Sequence, residues 1–182
     1  MSRTQWGVLA FVAAAALGPL YTAPGYSVLS NVISELAAQN TPRNAIMVVA
    51  FLLLGGAVAL DGLQPARAPR MPFVVFGLAF AAAGLFGHKP ITPGVPYLAW
   101  VDTVHSQLAT VSGIALTVGF GWQAALRGPW SQRLLAGVLA LACMGLPLLM
   151  LALPAWQGAV QRVMYLLVFG WLFAFYPRGL RG

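Results

Sequence analysis

The sequence has little charge, and least of the negative sign. Three of its 182 residues are acidic, Glu35, Asp61 and Asp102; 7% are charged and 60% are hydrophobic. A soluble domain is about a quarter charged and under half apolar, so the composition excludes an ordinary water-soluble core and points to an integral membrane protein. Cysteine is limited to Cys143. No disulfide framework can form, and redox compartment cannot be read from cysteine usage. Within the apolar run 136–150, Cys143 reads as a small buried hydrophobe. Histidine is limited to His88 and His105, with no HxxxH or HExxH spacing, so no metal motif is read. A Walker loop, a GxSxG elbow and a dinucleotide fingerprint are all missing. The formal net charge is +7. No basic stripe lies on a water-exposed domain, which argues against nucleic acid as a partner.

What the sequence does have is long apolar runs. A spanning helix needs about 20 mostly apolar residues. Six segments qualify, at about 6–22, 44–63, 71–87, 103–126, 133–153 and 157–176. The expected fold class is therefore all-α: a polytopic membrane protein, residues 1–182 forming a single domain of six transmembrane helices. Arg3 before the first run resembles a secretory signal, but bulky Tyr21 stands where cleavage needs a small residue, so that run is expected to be a membrane helix. Thr41 and Pro42 are expected to open the second helix as N-cap and first helical residue. Pro147 should kink the fifth. Gly55, Gly56, Gly77, Ala81, Gly84 and Gly113 offer close helix approach.

Loop charge sets orientation. Arg3, Arg67, Arg70, Arg127, Arg133, Arg178 and Arg181 fall on one side; Arg43, Lys89 and Arg162 fall on the other. Positive residues favour the cytoplasmic side. The expectation is a multi-pass protein of the inner (plasma) membrane, with both termini cytoplasmic. The lipid bilayer is its surrounding partner, and the number of copies is left open.

Between the first two runs lies a polar island, Tyr26–Leu36. Val28, Leu29, Val32, Ile33 and Leu36 recur at helical spacing, with Ser27, Ser30, Asn31, Ser34 and Glu35 opposite. This predicts a short amphipathic helix at the outer face, with Ser27 as N-cap. The topology gathers further polar groups there: His88 at the end of the third helix, Asp102 and His105 at the start of the fourth, and Arg162 near the start of the sixth. Ionisable groups at membrane depth are expensive and mark candidate sites. Asp102 and His105 are spaced i, i+3, so the carboxylate could orient the imidazole as a general base. Ser30, Ser34 or Ser106 could supply a hydroxyl, and Arg162 could hold a head group or oxyanion. Asn31 and His88 complete the binding candidates. Asp61, at the other side, reads as an ion pair with Arg67 or Arg70. No cofactor follows from these residues.

Tyr26-Ser27, Ser30, Ile33-Ser34-Glu35-Leu36, His105 and Gly158-Ala159-Val160-Gln161-Arg162 together resemble the bacterial and archaeal membrane family catalogued as domain of unknown function 998. The resemblance implies a six-helix fold and importance for Ser30, Glu35, His105 and Arg162. This chain carries Gln161 where the family often has Glu. Alkaline ceramidase-like hydrolases share only the general arrangement; they use three His around zinc, and two exist here. The expected function is a polar pocket at the outer, periplasmic face that binds or hydrolyses a lipid or lipid-linked substrate. The alternative is a non-catalytic transporter or a structural subunit. In the catalytic version His105 is the base, Asp102 or Glu35 orients it, and Ser30 is a candidate nucleophile.

Overall fold

The computed structural model describes residues 1–64, 70–126 and 129–176. Six helices follow in order: α1 Arg3–Tyr21, α2 Ala45–Gly62, α3 Met71–Leu85, α4 Ala99–Ala125, α5 Trp130–Ala152 and α6 Gln157–Ala174. No strand occurs among the described residues. α1, α2, α4 and α5 are long and apolar enough to cross a membrane. α3, at 15 residues, is apolar but short of the expected span. α6 carries Gln157, Gln161 and Arg162 in its first turns. The chain is an all-helical, multi-pass membrane protein.

Local chemistry moved several boundaries. α1 starts at Arg3 because Ser2 and Gln5 form a reciprocal capping box, Gln5 N donating to Ser2 Oγ at 3.2 Å and Ser2 N to Gln5 Oε1 at 2.9 Å. α2 does not start at Thr41–Pro42. Asn40 and Arg43 both adopt left-handed φ, 53° and 56°, which no α-helix can include. The helix therefore opens after Asn44, whose amide instead donates to Ala38 O at 2.9 Å.

Each helix packs on its chain neighbours, and α1 closes against α6, making a ring. Apolar burial is not a strong driving force between helices in lipid, so packing and hydrogen bonds must hold the ring together. Aromatic side chains reach across it: Phe80 of α3 meets Phe11 of α1 at 5.3 Å and Phe169 of α6 at 6.0 Å. At the end of the ring where α1 begins and α6 finishes, Trp171 of α6 sits against Phe73 of α3 and Phe120 of α4. α2 and α3 touch backbone to backbone at Gly55 and Gly77; a Cβ on either would strike the other's carbonyl oxygen. Gly56 and Gly113, expected to serve the same purpose, face open space instead.

Asp61 binds α2 to α1. Its Oδ2 accepts from Thr4 N and Thr4 Oγ1, both at 2.9 Å, and Arg3 Nη1 lies 3.7 Å from Oδ1. The expected ion-pair partner Arg70 donates to Gln64 O instead, and Arg67 lies outside the described residues. An acceptor side chain fits here because α1's first turn presents N–H groups without intrahelical partners.

The amphipathic outer helix does not form. Residues 33–37 make one 3-10 turn, and all five are buried. Ser27 and Asn31 use their side chains on the local backbone instead: Ser27 N donates to Asn31 Oδ1 at 2.8 Å, and Leu29 N to Ser27 Oγ at 3.3 Å. Such bonds compete with helix. The turn is drawn into the mouth of the ring, where fully buried Leu36 fills the space left by Gly18.

Candidate functional site

The end of the ring that carries the 3-10 turn is built from three loops. The 26–33 segment is clamped by the start of α6. Arg162 Nη1 lies within hydrogen-bonding distance of Val28 O (2.8 Å), Asn31 O (3.0 Å) and Gly158 O (2.9 Å), and Nη2 donates to Tyr26 Oη at 2.7 Å. Ala159 N donates to Leu29 O at 3.0 Å, and Ile33 N to Gln161 Oε1 at 2.6 Å. Gly158 is required by this approach, since a Cβ there would strike Asn31 O and Val28 O. Burial pushes the Tyr26 phenol up from its ordinary pKa, against the opposing pull of Arg162. The phenol therefore keeps its proton at neutral pH and donates to Val32 O at 3.2 Å. The loop between α3 and α4, 86–98, is stapled by Gln39, which bonds Gly87 O, Leu98 O and Leu98 N.

The sequence candidates divide among three places. Glu35 does not pair with Arg162: its Oε2 accepts from Val32 N at 2.7 Å and caps its own turn. Asn31 joins the Arg162 clamp through its carbonyl, and half-buried Ser30 lies in the same segment. His88 and Asp102 belong to the α3–α4 loop. Asp102 Oδ1 accepts from Lys89 N at 2.8 Å and lies 3.7 Å from His88 Nδ1, which is 3.1 Å from Lys89 O. Asp102 makes no hydrogen bond to His105 among the described residues.

His105 is held in another way. It is 3% exposed, and its Nδ1 lies 2.8 Å from both Ala83 O and Phe86 O, carbonyls at the end of α3. Carbonyls only accept, so Nδ1 carries the hydrogen. The imidazole thereby satisfies carbonyls that the end of α3 leaves unpaired. In the neutral ring Nε2 is left as an acceptor. The His88 ring stands edge-on, 5.3 Å away. Among the described residues no three His, Cys, Asp or Glu side chains group as a metal site.

His105 and Ser34 line one cavity of about 590 Å³, together with Gln161, Ser112, Thr110 and Thr117. Phe51, Phe76, Phe80, Leu116, Cys143 and Tyr165 form much of its apolar wall. It runs along α4 from His105 to Val118, about 20 Å at 1.5 Å per residue. Ile114 and Leu148, at 59% and 62% exposed, stand at its sides on α4 and α5, so the cavity reaches the apolar outer surface of the bundle beside these helices. Pro147 also lines it and has no N–H to give to Cys143 O. Arg162 is not among its lining residues; it borders a smaller apolar space of about 170 Å³ beside α1, with Phe11, Ile33 and Tyr165.

Sequence reasoning missed Ser112 and Gln161 as cavity residues. Ser112 was findable, because it stands seven residues after His105 and so on the same helix face. Gln161 was not, since its side chain is aimed by a bond to a loop whose path the sequence does not reveal.

Comparison with the curated proteins and with the solved structures returned no match. Residues 6–176 match the model of the family described as protein of unknown function (DUF998), and the chain belongs to that family.

Proposed function

We propose that this membrane protein binds a lipid or lipid-linked molecule in the cavity beside α4, α5 and α6. One observation carries the reading: a large apolar space reaches the apolar outer surface of the bundle and gathers Ser34, His105 and Gln161 at one end. Small-molecule sites are mostly apolar clefts of about 300–1,000 Å³ with a few placed polar groups. An extent of about 20 Å covers the hydrocarbon half of one leaflet, about 15 Å of a core of about 30 Å, and reaches past it towards the interface. On this reading the chain lies in the inner membrane with its termini cytoplasmic, as the loop arginines favour, and the cavity's polar end belongs to the outer leaflet.

A second reading is hydrolysis of the bound molecule, favoured by the anchoring of His105. With Nδ1 fixed on two carbonyls, Nε2 is presented as a base. Water or the Ser34 hydroxyl would be the nucleophile, with no carboxylate on His105. Turnover of an esterified lipid that disappears in His105→Ala, with bound lipid retained, is the expected result for this reading; retention of turnover in that variant contradicts it.

Native mass spectrometry tests binding itself. Protein extracted in mild detergent should carry a lipid-sized mass that survives exchange into lipid-free micelles. Complete loss of adducts on exchange would overturn the proposal.

A further inference from the structure

The charge of the head group can be taken further, on the reading that the cavity binds a lipid. We propose that the ligand is an uncharged amphiphile with a hydroxyl-bearing head, of the monoacylglycerol or long-chain alcohol type.

Among the described residues no Asp, Glu, Lys or Arg lines the cavity. Three charged groups of the same end are engaged elsewhere: Glu35 on Val32 N, Arg162 on loop carbonyls and Tyr26, Asp102 on Lys89 N. An ion brought into this space leaves water without finding a partner, and that costs several kcal/mol.

The remaining hydrogen-bond capacity is mixed. His105 spends Nδ1–H on Ala83 O and Phe86 O, so neutral imidazole offers Nε2 as an acceptor. Gln161 spends Oε1 on Ile33 N, so its amide offers N–H donors. Ser112 spends its hydrogen on Leu108 O and can only accept further. Ser34 makes no side-chain hydrogen bond among the described residues, and its hydroxyl can do either. Fully ionised phosphates and carboxylates bring only acceptors and leave His105 and Ser112 unmatched. A trimethylammonium brings no donor at all. A hydroxyl both donates and accepts, so it matches both halves of the set.

The test uses full-length protein in phosphatidylcholine nanodiscs and three probes with one chain length: 1-monopalmitoylglycerol, hexadecyl phosphate and hexadecyltrimethylammonium. The monoglyceride is expected to bind at least about tenfold tighter than either ion, a ratio equal to about 1.4 kcal/mol. Ser34→Ala is expected to weaken the monoglyceride several-fold and leave the two ions unchanged. An ion that binds as tightly as the monoglyceride overturns the head-group assignment alone. Failure of all three probes to bind overturns the lipid reading and this one with it.

Discussion

Arg162→Met is expected to lower the stability of the bundle by roughly 3 kcal/mol, taking a hydrogen bond to a charged donor as about 1.5–3. Its guanidinium is placed against three carbonyls and one phenol, which no other side chain here replaces. The carbonyls share Nη1, so their contributions do not simply add. Arg162→Lys should not restore the loss, because an ammonium lacks the planar fork that reaches two directions at once. Gly158→Ala should act in the same direction, by pushing the 26–31 backbone off α6. The clamp also has a pH signature. Burial raises the folded pKa of Tyr26, so its contribution is complete below the unfolded value of about 10 and is lost as pH rises through the folded one. Tyr26→Phe should show a shallower alkaline decline than the parent. Unfolding in mixed micelles, followed by helical circular dichroism, measures these effects; an Arg162→Met variant as stable as the parent would show that the contacts are incidental.

Gly113→Phe is expected to empty the cavity without disturbing the fold. Gly113 lines it, and a Cβ there meets nothing within 4 Å. The ring must then occupy the space meant for ligand. Retained lipid should fall by about 100-fold, about 2.8 kcal/mol of lost binding, while the unfolding midpoint stays near that of the parent. Gly145→Phe is the control: its Cβ is equally unobstructed, on α5, but Gly145 does not line the cavity. Equal lipid retention in the two variants would mean that the bound lipid sits elsewhere.

The helices were legible because the apolar runs are separated by polar, Pro- and Gly-bearing segments, even though α3 and α6 fall short of the length and hydropathy of the other four. Their boundaries were less so. Nothing in Thr41–Pro42 announces that Asn40 and Arg43 take left-handed backbone and delay α2. The polar island misled for a related reason. Its periodicity fits an amphipathic helix, but Ser27, Asn31 and Glu35 spend their side chains on nearby N–H groups, and α6 supplies the rest. Topology did reveal that the polar groups gather at one end of the bundle. It did not reveal their division: i, i+3 spacing put Asp102 beside His105, while the unpaired carbonyls at the end of α3 claim the imidazole. A pattern of residue types cannot distinguish two acceptors that compete for one hydrogen.

Photo-crosslinking tests the lipid cavity most directly. A monoacylglycerol with a diazirine midway along its chain is photolysed with the purified protein, and the modified residues are mapped by mass spectrometry. Labelling is expected at Met164 and Tyr165, which line the cavity, and should vanish in Gly113→Phe. Labels confined to outward-facing Leu78, Leu141 and Leu151, unchanged by that substitution, would contradict a lipid site at His105.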